Sequence, residues 1–427
     1  MIRHSAYGSG HPYSVDTEQR DPVDPIAGES LTLGVRVSAE VDTVTLQWHD
    51  GDAVAEHPLA RAVRRSRGQS VDGGHLASAQ ARLARAASGF SVTLTDLAPH
   101  GVYRYRFVGG PASAPTSQHT RWFDVRVAAW RSAADDAVAV DAAAGLVPGS
   151  VEVLDDGERL RRVRFALALA PDERVSGFGE RFDALDHRGA SLDSVVFEQY
   201  KSQGAERKTY LPMPFAHVVG GRGWGFHVRT SRRVWFDVGA SDPSRLAVEA
   251  EVDAASVSAA STAPNEAPQL EVAAYEGTPH EVLDAFLGEV GRPEQLPDWV
   301  LRLWASGNEW NTQAEVMRQA DLHREHGIAV GSIVIEAWSD ESTFHVWRDA
   351  QYTPREDGGP MRLADFTFPV EGAWPDPKGM VDELHARDVR LLLWQIPLIK
   401  MRPHPRGQTR HDADAAVREG VLIREPG

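Results

Sequence analysis

Val330-Gly331-Ser332-Ile333-Val334-Ile335-Glu336-Ala337-Trp338 is the stretch that decides the fold of this chain. Val330 to Ile335 is apolar without alternation and β-branched in character, as a strand buried on both faces of a parallel sheet requires. It ends abruptly in a carboxylate and an indole. Upstream, Arg302 to Ala305 reads as a short strand ending in Ser306-Gly307-Asn308-Glu309-Trp310. Thr312 and Glu315 then have the spacing of a capping box, for a helix that ends near Gly327. Downstream, a long excursion reaches Pro377, and Met380 to Arg387 reads as the next helix. Arg390-Leu391-Leu392-Leu393-Trp394 is a third strand, ending in Gln395-Ile396-Pro397. Asp412 to Glu419 is expected to be a further helix, and Val421-Leu422-Ile423 a short hairpin strand. This alternation opens a (β/α)8 TIM barrel, which needs eight strand–helix units over ~250 residues. Three units follow Leu301, so an incomplete barrel over 299–427 is expected.

In such barrels the chemistry sits at the carboxyl ends of the strands. Asn308, Glu309, Trp310, Glu336, Trp338, Trp394 and Gln395 fall there. Carboxylates and amides bond hydroxyl groups and indoles stack on ring faces, so this rim suits a sugar.

The preceding residues read as all-β. Thr43 to Trp48, Phe90 to Leu97 and Tyr103 to Val108 alternate with the period of half-buried strands, with Pro99-His100-Gly101 as a turn. They predict a small β domain over 1–130. Val163 to Leu167, Trp224 to Val228, Val234 to Val238 and Leu270 to Ala273 predict a second β-sandwich over 131–277. Thr278 with Glu281 three residues on, and Pro279 at the first helical position, start a linker helix within 278–298. Arg61 to Arg85 reads as a solvated loop or short helix rather than a nucleic-acid patch, and Ala254 to Pro268 as a loop between strands.

A net charge of −16 argues against nucleic acid or an anionic membrane as partner, and does not repel a neutral sugar. The absence of cysteine excludes disulfides, thiol catalysis and thiolate metal sites. Met1 to Arg20 holds no apolar signal core, and no run approaches the ~20 residues of a membrane span. A cytoplasmic location is the expectation, with no cofactor and with an oligomer possible.

Four stretches resemble glycoside hydrolase family 31, the α-glucosidase and α-xylosidase family. They are Gly177-Phe178-Gly179-Glu180-Arg181-Phe182-Asp183, Pro212-Met213-Pro214-Phe215 with Gly223-Trp224-Gly225, Trp374-Pro375-Asp376-Pro377-Lys378-Gly379-Met380, and Leu392-Leu393-Trp394-Gln395-Ile396-Pro397. The resemblance covers roughly Leu160 to Gly427. It implies a galactose-mutarotase-like β-sandwich before the barrel, and retaining cleavage or transfer at a terminal α-glycosidic bond of an α-linked oligosaccharide or glycoside. One aspartate would attack the anomeric carbon and a second would serve as acid and base, ~5–5.5 Å apart. The family's nucleophile follows the fourth barrel strand, so neither aspartate is matched here and no catalytic residue is named. For substrate binding, the resemblance implies Glu336 and Trp338 at the second strand end and Trp394, Gln395 and Ile396 at the third. It also implies Tyr200 and Gln203 in a loop of the sandwich. Trp310 is added as a candidate from its position at the first strand end alone, where it could equally belong to the core. A noncatalytic carbohydrate-binding or interaction fragment is the competing expectation.

Other residues have plainer roles. Glu180 and Arg181 are expected to form a structural ion pair, and Trp304 to lie in the core. His323 and His326 are expected on a solvated helix face, Asp376 at a helix start, and Asp340 with Glu341 to point apart.

Overall fold

The computed structural model describes residues 1–8, 10, 13, 15–61, 88–197, 203–255, 269–339, 346–396 and 407–422. The loop or short helix expected over Arg61 to Arg85 lies outside them beyond Arg61 itself, which ends a short strand. Asp340, Glu341, Pro397 and Ile423 also lie outside them. The chain divides into two compact units, Met1–Arg292 and Pro293–Gly427.

The first unit is mainly β, with only short helical turns before its last helix. Its N-terminal part pairs a sheet centred on Leu31–Val37 and Ser88–Leu94 with one centred on Thr43–His49 and Val102–Gly110. Alternation does the work: Val44, Leu46 and Trp48 are buried while their neighbours face outward. Leu31, Leu33, Tyr105 and Phe107 fill the space between the sheets. The following part has a six-stranded sheet, from Ala129–Ser132 to Ser191–Ser194, over a five-stranded one ending at Arg174–Gly179. Phe165, Phe178, Trp224, Phe226 and Phe236 form their shared core.

His4 sits within the first of these cores. Its Nδ1 lies 2.7 Å from the Gly34 carbonyl, which can only accept, so Nδ1 carries the proton. Nε2 then accepts from the Tyr105 hydroxyl at 2.9 Å. Burial pushes the His4 pKa down to about 4, and the Arg20 charge adds to this against the Gly34 carbonyl, which favours the cation.

The Gly177-Phe178-Gly179 stretch is a backbone device. Three successive residues have positive φ, 138°, 64° and 92°, and the strand register shifts between Gly177 and Gly179. Phe178 bears that strain because its ring is fully buried against Phe236, 4.6 Å away. Gly179 is required because a Cβ there would lie 1.9 Å from the Leu211 carbonyl oxygen. The bulge aims Arg181 at two carbonyls, those of Phe178 (3.2 Å) and Arg207 (2.9 Å). The expected Glu180–Arg181 pair is therefore replaced by backbone contacts, because the bulge turns adjacent side chains apart.

The linker helix spans Pro279–Val290 and carries the predicted capping box between Thr278 and Glu281. Val282 and Phe286, one turn apart, bury one face; Phe286 stacks on Phe215 at 4.0 Å. Glu289 clamps the other end, accepting from Arg229 Nε and Nη2 (both 2.9 Å) and the Tyr275 hydroxyl (2.6 Å). Its carboxyl is held down to about 2, chiefly by the Arg229 hydrogen bonds.

The second unit holds three parallel strands, Leu303–Gly307, Val330–Ile335 and Arg390–Leu393, with helices Gln313–Glu325 and Pro377–Ala386 between them. Thr312 caps the first helix, and Asp376 caps the second by accepting from the Gly379 N–H. Ile333 and Ile335, which share one face, are fully buried, while Val334 on the other is half-buried, so burial on both faces is less complete than the apolar run led one to expect. A last helix, Gly407–Glu419, begins earlier than expected, and Val421 and Leu422 are not in a strand. Trp304, expected in the core, is 42% exposed; it stacks on Trp299 and its Nε1 donates to the Val300 carbonyl. On this strand the inward positions go to Ala305 and Gly307 instead.

Two outcomes test these interactions. His4 contributes nothing to pH dependence above about 6.5, its unfolded value. As pH falls from there to about 4 the unfolded chain gains a proton the folded one refuses, and stability drops by up to about 3 kcal/mol. Urea midpoints at pH 7.5 and 5 should converge in His4→Phe. Gly179→Ala should cost at least about 2 kcal/mol in the same measurement, since φ of 92° and the Leu211 carbonyl both oppose a side chain.

Candidate functional site

Parallel pairing sets three strand ends side by side. Gly307 pairs with Ile335, and Ile335 with Leu393. The residues that follow, Asn308, Glu336 and Trp394, therefore leave the sheet at one edge, as the barrel pattern predicted. The hydroxyl of Ser306, within the first strand, bridges two of these ends. Its Oγ donates to Asn308 Oδ1 at 2.8 Å and lies 3.5 Å from Glu336 Oε1. A hydroxyl has one proton to give, and the shorter contact takes it. Glu336 is half-buried, and Ser306 is the one described residue within hydrogen-bonding distance of its carboxylate. No described cation pairs with it. It is an acceptor held at a strand end with its capacity unspent.

The third strand end is held through both backbone polar groups of Trp394. The Trp394 N–H donates to the Ile335 carbonyl at 3.0 Å, continuing the ladder one residue past the strand. The Trp394 carbonyl accepts from Trp338 Nε1 at 2.6 Å. The Trp394 indole itself is 44% exposed, Gln395 is exposed and Ile396 half-buried.

Trp338, expected to face a sugar, is instead 5% exposed and belongs to the core of this unit. The cause lies in the excursion that follows it. Ser339 pairs with Trp347, and the Arg348 N–H donates to the Trp338 carbonyl at 3.0 Å. This return folds Trp347 edge-on against Trp338 (5.0 Å) and Trp374 edge-on against Trp347 (5.1 Å). Trp310 likewise folds back: its N–H donates to the Gly307 carbonyl and its ring lies over Gly307, where a Cβ would come within 2.5 Å. Its outer edge meets His323 at 6.1 Å. His323 is occupied with the Gln319 carbonyl, 2.8 Å from its Nδ1.

Gln203 lies in the other unit, within a short helical turn, where its buried side chain reaches the Phe197 carbonyl at 3.5 Å. Tyr200 lies outside the described residues. Among the described residues no three His, Asp or Glu side chains gather as metal ligands.

The structure thus brings together Glu336, Trp394 and Gln395 and adds Ser306, which sequence reasoning passed over. Its signal was available: Ser306 is a polar residue next to the last position of a strand. Trp374 was legible as part of a family-like stretch, but nothing local paired it with Trp347 or paired Trp347 with Trp338.

Three stretches match family descriptions. Residues 8–109 match the 1,3-alpha-isomaltosidase-like N-terminal domain. Residues 117–237 match the glycosyl hydrolase 31 N-terminal galactose mutarotase-like domain, and 293–427 the glycosyl hydrolases family 31 TIM-barrel domain. A 1,3-alpha-isomaltosidase of Kribbella flavida is 47% identical over 100% of this chain and 56% of its own length. A solved structure titled cycloalternan-degrading enzyme from Trueperella pyogenes, in complex with cycloalternan, is 39% identical with a TM-score of 0.82. It covers 100% of this chain and 57% of that one. A mutant of Kfla1895 in complex with isomaltose is 45% identical with a TM-score of 0.78, over 98% of this chain and 54% of that one. The chain therefore spans just over half the length of these relatives.

The contrast between the tryptophans is testable by urea denaturation. Trp374→Ala removes an indole that is 1% exposed and should cost about 3–5 kcal/mol. Trp394→Ala removes an exposed one and should cost less than about 1 kcal/mol.

Proposed function

Because this chain belongs to glycoside hydrolase family 31, we propose that it supplies the sugar-binding rim of an α-glycosidase acting on α-linked gluco-oligosaccharides that contain isomaltosyl units. The supporting observation is the unspent carboxylate of Glu336 at the second strand end, in a chain colinear over its full length with a 1,3-alpha-isomaltosidase. Glu336 accepts hydroxyl protons from the non-reducing sugar. The Asn308 and Gln395 amides complete its polar contacts, and the exposed Trp394 indole covers a ring face.

The reaction is cleavage with retention at the anomeric carbon. A carboxylate attacks that carbon while a carboxylic acid gives its proton to the leaving oxygen. Water, deprotonated by the second group, then attacks the same carbon, breaking its bond to the first carboxylate and freeing the sugar. The two carboxyl groups stand ~5–5.5 Å apart in such enzymes. Neither role falls on a residue named here.

Calorimetric titration of this chain with isomaltose should give a saturable heat, and Glu336→Gln should weaken it roughly tenfold, the worth of a hydrogen bond to a charged group. No heat at millimolar isomaltose, or an unchanged affinity in the variant, overturns the proposal. Release of p-nitrophenol from the α-isomaltoside in preference to the α-glucoside and α-xyloside is expected of the parent activity. Binding without release from any of the three favours a noncatalytic carbohydrate-binding protein.

A further inference from the structure

We propose that Trp338 is a positioning residue, whose indole N–H holds the Trp394 peptide so that the Trp394 indole stands where a sugar ring can stack on it. The proposal rests on the sugar-site reading above and adds a role for a residue that does not itself reach the sugar.

Three observations carry it. Both backbone polar groups of Trp394 are engaged, the N–H by the Ile335 carbonyl and the carbonyl by Trp338 Nε1. The first contact continues a strand ladder and constrains the backbone direction. The second comes from a side chain that is 56 residues away in sequence and has no part in the ladder. A strand end held by one bond can swing; one held through both the N–H and the carbonyl of a single residue has its Cα–Cβ direction set.

The donor is itself rigid. Trp338 is buried, its carbonyl is engaged by the Arg348 N–H, and its ring is backed by Trp347, which is backed in turn by Trp374. The helix that follows Trp374 begins at Pro377 under the Asp376 cap, so the aromatic row is anchored to a regular element. A buried indole N–H must find an acceptor or cost free energy, and here the acceptor is a carbonyl at the candidate site. Such support matters because a displacement of about 1 Å in a binding group can cost far more than the contact that prevents it.

The partition of exposure agrees. The two tryptophans adjoin the ends of neighbouring strands, yet one is 5% and the other 44% exposed. The buried one offers its N–H to the peptide of the exposed one. The pair divides into a part that touches ligand and a part that places it.

The test is ¹⁵N-indole NMR on this chain, whose 12 tryptophans each give one signal. Single Trp→Phe variants assign Trp338 and Trp394. In the unmodified protein the Trp338 indole proton should exchange with deuterium at least about 100-fold more slowly than that of Trp394, since it is both buried and bonded. Trp338→Phe keeps an aromatic ring and removes the donor. It should shift or broaden the Trp394 signal, leave that of Trp48 in the N-terminal sandwich in place, and weaken isomaltose binding roughly three- to tenfold, the worth of one hydrogen bond. A Trp394 signal and an isomaltose affinity that both stay unchanged overturn the proposal. If Trp338→Phe does not fold, the exchange measurement decides alone: a Trp338 proton that exchanges as fast as that of Trp394 overturns it. If isomaltose moves no signal of the unmodified protein, the sugar reading fails. Displacement of the Trp394 signal in Trp338→Phe then still reports whether Trp338 positions it.

Discussion

The site depends on the register of three parallel strands. Parallel pairing sends every strand to the same edge, and the pairing of Gly307 with Ile335 and of Ile335 with Leu393 makes the three ends level. Only because they are level can the Ser306 hydroxyl touch both Asn308 and Glu336, or Trp338 reach the Trp394 carbonyl. A slip of one residue would turn Ile333 and Ile335 out of their buried positions and face Glu336 the other way. The apolar burial that fixes the register is therefore also what aims the polar groups.

Polar satisfaction sorts the strand-end residues into two kinds. Trp310 and Trp338 have their rings packed and their donors or backbone spent within the protein. Glu336 keeps most of its acceptor capacity, and Trp394 keeps nearly half of its surface. Residues that are satisfied internally build the site, and those left unsatisfied or exposed are the ones able to meet a ligand. The same reasoning places Gln203 among the structural residues, with its amide committed to the Phe197 carbonyl.

In the first unit, strain and charge hold what the hydrophobic core alone would leave loose. The fully buried Phe178 ring sustains a left-handed backbone, and the bulge around it delivers Arg181 to two carbonyls. The linker helix buries only Val282 and Phe286, a narrow stripe for twelve residues. Its ends are secured by polar means: a capping box at Thr278, and Glu289 gripping Arg229 and Tyr275 at the other end.

Strand, helix and cap were all readable along the chain. The alternation at Thr43 to Trp48, the unbroken apolar run at Val330 to Ile335, and the caps at Thr278, Thr312 and Asp376 each depend on residues within a few positions of one another. The four family-like stretches were legible for the same reason; one of them placed Trp394 at a strand end, and the apolar run ending at Ile335 placed Glu336 at another. Which way the indoles face was not legible. Trp338 is drawn inward by Trp347 and by a carbonyl 56 residues on, and Trp304 is turned out because Ala305 and Gly307 take the inward positions. Arg181 bypasses its neighbour Glu180 because a bulge, closed against Leu211, redirects it. Sequence determined the parallel strands, the helices between them and their caps, because periodicity and capping are local; it missed the start of the last helix and predicted a strand at Val421 and Leu422 that does not form. Tertiary structure alone decided which side chains remain free for a ligand, because that depends on partners that only folding brings near.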